Sequence, residues 1–194
     1  SSDVCSSDLL AGTLAAIRLR ERFPRVRGLL LESGSRPCGD HTWSLHASDL
    51  PGEAPPRFGE SALWRWLEPH FRKVWDAQRV RFRDFERRLA VPYATLDSVG
   101  LRTWLEQAQA QDPAGMEIRT GARVESFFEG GVRLTDGSEC FSPLVFDARG
   151  WPERGRSAAP VGWQKFTGLE LELSVPHGLS EPMIMDATCE QVDG

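Results

Sequence analysis

The sequence has no run approaching the ~20 apolar residues that a membrane-spanning helix requires. No basic stretch followed by an apolar one stands near its start, so a secretory signal is not legible. Positive charge is not in surplus: 23 Lys and Arg face 28 Asp and Glu, a net charge of -5. That balance argues against nucleic acid, whose binders carry a basic face. Closely spaced cysteines are missing too. Cys5, Cys38, Cys140 and Cys189 lie far apart, which excludes a CxxC zinc or redox centre and reads as free thiols in a reducing cytoplasm. No internal repeat is present. What remains is a globular composition, 40% hydrophobic and 26% charged, over 194 residues, enough for one large domain or parts of two.

Helical spacing of Leu10, Leu14 and Ile17, beside Gly12, Ala15 and Ala16, predicts a close-packed helix from Leu10 to about Phe23. "FPRVRG" turns the chain into a short apolar strand, Leu29 to Glu32, and the loop "SGSRPCGDHTWS" follows. A helix leading to a buried strand is the second half of a βαβ unit. The first strand of such a unit is not found ahead of it. "SALWRWLEPHFRKVWD" reads as an amphipathic helix interrupted at Pro69, "RVRFRDFERR" as a strand alternating Val80, Phe82 and Asp84 against Arg79, Arg81 and Arg83. "TLDSVGLRTWLEQAQAQ" reads as a helix capped by Asp97 or Ser98. Three β-like runs follow, "EIRTGARVESFFE", "GVRLTDG" and "LVFDARG", with hairpin signals at Gly130-Gly131 and Asp136-Gly137. "GWQKFTGLELELSVPHG" and "PMIMDAT" read as two further strands.

Gly12 and Glu32 form the first chemically informative pair. In a dinucleotide-binding βαβ unit, a GxGxxG turn brings backbone to the pyrophosphate, and an acidic residue about 20 positions on binds the ribose hydroxyls. With Gly12 as third glycine, the first two fall at Ser7 and Leu9. Leu9 puts a side chain where backbone should meet phosphate, so this turn does not bind as written. Glu32 read alone equally suits the solvent end of a strand. The order of elements resembles FAD enzymes related to glutathione reductase and the aromatic hydroxylases. In that resemblance Asp147, Ala148 and Gly150 form the strand returning to the FAD domain, and the strand around Val124 offers backbone to the adenine.

Two strings are more specific. "GDHTWSLH" (Gly39 to His46) and "VGWQKFTGLELELSVPHGLSEPMIMDAT" (Val161 to Thr188) resemble segments of the bacterial lycopene β-cyclase family, in the same order, from Leu10 to Gly194. The resemblance covers roughly the first half of such an enzyme. It implies a chain that closes the linear ends of lycopene into β-ionone rings without net redox change, using reduced FAD, with NADPH as a candidate reductant. A lipophilic polyene implies a peripheral contact with the cytoplasmic membrane from the cytoplasmic side. Redox catalysis on the same scaffold, by a hydroxylase or polyene dehydrogenase, is the alternative.

The resemblance assigns roles residue by residue. Glu170 matches the family's glutamate that donates the proton, a carboxyl whose pKa a polyene surrounding would raise by desolvation. From pattern alone, Glu170 and Glu172 alternate with Leu169, Leu171 and Leu173, which equally suits a strand with its polar face in water. Leu171 stands where the family has tryptophan. Asp186 is a second carboxylate, either an orienting partner or a turn residue. His41, Trp43 and His46 fall in the loop that would line the flavin or polyene. Trp64, Trp66 and Trp75, interleaved with Arg65, Arg72 and Lys73, suit either a membrane interface or ordinary core packing.

The expected fold class is α/β, a Rossmann-type FAD-binding domain with part of a β-rich substrate domain, incomplete at both ends. Residues 10–48 and 93–150 make the expected FAD domain, and 49–92 and 151–194 the partial substrate domain. The "SSD" near-repeat of residues 1–9 resembles translated adapter sequence, so native sequence is expected to begin near Leu10.

Overall fold

The computed structural model describes residues 8–50, 61–149, 168–169 and 171–188. Its elements follow from local chemistry. Helix-favouring Leu, Ala, Arg and Glu make α1 (Asp8–Arg22), which buries Thr13 and Ile17 one turn apart and stops before Pro24. The short apolar β1 (Gly28–Leu31) follows, then β2 (Thr42–His46). Ser61 caps α2 (Ala62–Leu67), its hydroxyl accepting from the Trp64 amide at 3.4 Å. The strands β3 (Lys73–Trp75), β4 (Gln78–Phe82), β5 (Phe85–Leu89) and β6 (Tyr93–Asp97) come next. Asp97 then caps α3 (Ser98–Gln111) by accepting from the Gly100 amide at 2.7 Å. Four short strands, β7 (Met116–Arg119), β8 (Val124–Phe128), β9 (Gly131–Leu134) and β10 (Glu139–Phe141), precede the last, β11 (Met183–Asp186).

The chain divides into two compact units, residues 1–43 with 96–151 and residues 44–95 with 152–194. In the first unit β1 and β7 pair parallel and in register, Gly28 opposite Met116 through Leu31 opposite Arg119. Each is preceded by a helix, α1 and α3, which is the α/β arrangement. Leu101, Trp104 and Leu105 bury one stripe of α3. The antiparallel meander β8–β9–β10 turns at Gly130 (φ 88°) and Gly137 (φ 85°), both in the left-handed region that glycine tolerates. Ala122, Val132 and Leu134 form its core, with Leu31, Val124 and Cys140 packed on them.

In the second unit a sheet of order β2–β6–β3 covers a core of Ala47, Trp64 and Ala94, with Leu45, Leu50, Phe71 and Val74 around it. The hairpin β4–β5 forms another sheet, to which β11 adds parallel to β4. No helix among the described residues is long and apolar enough to cross a membrane.

Three local readings are corrected. The run from Ser61 to Asp76 is no single helix: α2 ends at Leu67, Glu68–His70 is one tighter turn containing Pro69, and Lys73–Trp75 is strand. Pro69 supplies no amide donor, and Val74 and Trp75 prefer the pleat. "RVRFRDFERR" is a hairpin rather than one strand, turning at Arg83-Asp84, because Phe82 and Phe85 pair across it with rings 6.1 Å apart. Residues 93–97 form β6, and the helix begins at Ser98 behind its cap Asp97, one of the two caps expected from sequence. "LVFDARG" carries no strand over residues 144–149, where Leu144, Val145 and Phe146 are exposed; a strand with apolar side chains on both faces needs sheet neighbours, and none pairs with it among the described residues. Of the strand expected over "GWQKFTGLELELSVPHG", residues 162–167 and 170 lie outside the described ones. Its described residues, 168–169 and 171–178, carry none. Trp64 is also settled: at 2% exposure, its ring 4.9 Å from that of Phe71, it packs the core and does not serve a membrane surface.

Candidate functional site

Glu32 stands immediately after β1, at the carboxyl end of the parallel pair, where open α/β sheets bind ligands. Its backbone is fixed on both sides: the amide donates to Arg119 O at 2.9 Å, and the carbonyl accepts from Ala122 N at 2.8 Å. The side chain is only 6% exposed. Oε1 accepts from Gly34 N at 2.6 Å and from Ser33 Oγ at 3.3 Å. Oε2 is buried with no hydrogen-bond partner among the described residues. A buried carboxylate oxygen with no donor is unfavourable by itself, and a hydroxyl donor would complete it.

Gly12, near the start of α1, faces Ala148: a Cβ built on the glycine would lie 3.0 Å from the alanine Cβ. The two small residues let helix and returning segment approach, which is the packing role of the third glycine in a dinucleotide turn. Asp147 is exposed and its carboxylate takes three bonds from Arg149, the Nε contact at 2.8 Å, which hold it below the usual carboxylate range. Arg149 also donates to the Val124 carbonyl at 3.2 Å and lies over the Phe127 ring at 4.7 Å. Val124 and Asp147 are thus tied together through Arg149. Gly150 lies outside the described residues.

The loop after Glu32 is held by α3. Ser98 Oγ, buried, donates to Cys38 O at 2.7 Å and accepts from His41 N at 2.6 Å; Ser98 N donates to His41 O at 2.8 Å. Arg102 donates to Pro37 O at 3.1 Å and to Gly39 O at 3.0 Å. These bonds keep Cys38 (φ 67°) and Gly39 (φ 54°) in the left-handed region, which a non-glycine residue seldom enters. Burial pushes the Cys38 thiol up, against the opposing hydroxyl of Thr13, whose Oγ1 is 3.8 Å from Sγ. Sequence reasoning missed Arg102 and Cys38 and saw Ser98 only as a cap, since a buried clamp across some 60 residues leaves no periodic trace. His41 and Trp43 sit side by side, rings 5.8 Å apart.

His46 and Asp186 belong to the second unit. The His46 ring contacts Gln78 and Tyr93. Asp186 ends β11 opposite Arg81 of β4. Its carboxylate accepts from the Thr188 hydroxyl at 2.6 Å and amide at 3.0 Å, and Arg81 lies at 3.8 Å; the Thr188 bonds, with Arg81, hold it below the usual range. That is the geometry of a turn-stabilising anion. Glu170 lies outside the described residues.

A family model described as "Lycopene cyclase protein" matches residues 10–194. Lycopene beta-cyclase of Pseudescherichia vulneris is 37% identical over 186 residues, and that of Paracoccus sp. (strain N81106 / MBIC 01143) is 39% identical over 186. The enzyme of the same name from Pantoea ananas is 35% identical over 185 residues. Each alignment takes in 95% of this chain and 44% of the relative, so the chain spans less than half the length of these proteins. Among solved structures, 2-methyl-3-hydroxypyridine-5-carboxylic acid oxygenase aligns with a TM-score of 0.46 and 18% identity, over 68% of this chain and 34% of that one. The Diels-Alderase PyrE3 aligns with a TM-score of 0.37 and 15% identity, over 70% and 28%. These two are likenesses in outline only.

Proposed function

Because the chain belongs to the lycopene cyclase family, we propose that the complete protein closes the linear end groups of lycopene into β-ionone rings, with FAD in its reduced form, NADPH as reductant and no net redox change. The family match over residues 10–194 carries this reading. Beyond the phosphate turn, where Ser7 and Leu9 stand in place of glycines, the residues present fit an adenine dinucleotide: buried Glu32 Oε2 has no donor among the described residues, as a ribose-binding carboxylate would before its ligand arrives. Gly12 and Ala148 bring α1 against the returning segment, and Val124, with Asp147 and Gly150, would flank the nucleotide. When bound, the reduced flavin supplies negative charge beside a developing carbocation.

The chain's own residues do the proton work. Glu170, desolvated by polyene, stays protonated and delivers its proton to an end-group double bond. The neighbouring double bond attacks the resulting cation, and a base then takes a ring proton, whose C–H electron pair becomes the double bond of the β-ionone ring. Asp186, ionised beside Arg81 and Thr188, orients by its charge. His41, Trp43 and His46 line the polyene, where a desolvated aromatic face adds up to about 2 kcal/mol of cation–π attraction. The protein meets the cytoplasmic membrane peripherally, where so lipophilic a substrate resides.

Incubating the full-length protein with lycopene and prereduced FAD tests this. Ring-closed product with only catalytic use of reductant is expected. Hydroxylated or desaturated product, with stoichiometric consumption of nicotinamide or oxygen, overturns it. In the same assay Glu170→Gln lowers ring formation by roughly 10²–10⁴-fold, the range of a lost general acid.

A further inference from the structure

His46 closes β2, its amide held by Asp49 Oδ2 at 2.8 Å and its ring 5.1 Å from that of Tyr93. Gln78 opens β4 and is 1% exposed. Its Nε2 donates to His46 Nδ1 at 2.7 Å, while its Oε1 is buried with no hydrogen-bond partner among the described residues. Methionine would fill the same space without burying an orphan acceptor. What the amide contributes is therefore the bond to His46. A ring nitrogen that accepts a hydrogen bond carries no proton, so the imidazole proton resides on Nε2.

We propose that Gln78 is a positioning residue that holds His46 as the Nε2–H tautomer and thereby keeps a free imidazole lone pair away from a carbocation. This rests on the reading that His46 lines the polyene site. A protonated end group is destroyed by any nearby base: the base takes a proton from a carbon beside the cation, and the C–H electron pair becomes a new C=C bond. The imidazole becomes imidazolium, and the end group remains open with its double bond shifted. In the tautomer that Gln78 selects, Nδ1 is occupied by the amide and Nε2 bears hydrogen. The ring then presents an aromatic face and a donor, and no basic site. In the opposite tautomer the lone pair lies on Nε2, on the side of the ring away from Gln78.

The test uses the full-length protein labelled with ¹⁵N-histidine, as wild type, Gln78→Glu and Gln78→Met. Histidine ¹⁵N shifts, assigned by loss of one signal in His46→Gln, are expected to show Nε2–H in wild type. Gln78→Glu, whose carboxylate accepts, switches the ring to Nδ1–H, and Gln78→Met gives a mixture. With lycopene, the share of open, double-bond-shifted product rises several-fold in Gln78→Glu and less in Gln78→Met. A wild-type ring protonated on Nδ1, or tautomers and product ratios unmoved in whichever variant folds, overturns the proposal. Wild type that forms no ring product at all sinks the cyclase reading instead, while the shifts still decide the role of Gln78.

Discussion

Gly12 and Ala148, 136 positions apart in sequence, stand so close that a methyl group added to the glycine would sit 3.0 Å from the alanine Cβ. The sequence reading places both at a cofactor site by resemblance; the relation the structure shows is to each other.

The crowding is at the edge of what a neighbour can absorb. Residues 144–149 form no ladder and can yield a few tenths of an ångström. Gly12→Ala adds about 1 kcal/mol of helix propensity, which offsets that shift, and stability should stay within about 1 kcal/mol of wild type. Gly12→Val cannot be absorbed and should destabilise by about 1–3 kcal/mol. Urea denaturation measures both; a Val variant as stable as wild type refutes the contact.

Glu32→Gln separates binding from folding. The amide oxygen still accepts from Gly34 N, and a buried charge with one orphan oxygen is removed. Apo stability should hold or rise. Flavin affinity of the full-length protein should fall roughly 10–100-fold, the loss of a hydrogen bond to a charged group of about 1.5–3 kcal/mol. Flavin fluorescence titration reads it, and unchanged affinity contradicts the ribose assignment.

Ser98→Ala removes one hydroxyl that serves both Cys38 O and His41 N. Leaving these groups unpaired should lower stability by about 1–3 kcal/mol. The exchange of backbone amides 38–41 should rise, whereas Thr103→Ala, at an exposed hydroxyl on the same helix, should leave them protected. Equal protection in both variants would argue against the clamp.

The Cys38 thiol gives stability a defined alkaline dependence. Burial raises its folded pKa above the unfolded value, so its contribution is whole below the ordinary thiol range and is lost as pH rises through the raised value. Cys38→Ala should flatten the alkaline limb of a stability–pH curve. An identical limb in the variant would assign the slope elsewhere.

Glu181 ties β11 to the hairpin by accepting from Arg88 at 2.6 Å and Arg79 at 3.2 Å, and Arg88 first, then Arg79, holds it below the usual carboxylate range. The tie is present above the ordinary carboxylate pKa and is lost as pH falls through the lowered one. Glu181→Gln should therefore speed amide exchange over Met183–Asp186 at neutral pH, with the difference from wild type shrinking in acid and at high salt.

Much of the fold was legible because it is decided within a few residues. Helical spacing marks α1 and α3, Asp97 caps from one residue ahead, and Gly130 and Gly137 supply the positive φ their turns need. Glu32 was legible by its distance from Gly12, and the strings around His41 and Asp186 by resemblance. Other features depend on partners far along the chain. Trp64 finds its core in Ala47 and Ala94, Ser98 reaches Cys38, and Gln78 reaches His46. Those contacts are hydrogen bonds and burial across tens of residues. Which polar atom is paired and which is left waiting, as at Glu32 Oε2 and Gln78 Oε1, is set only when the chain closes around it.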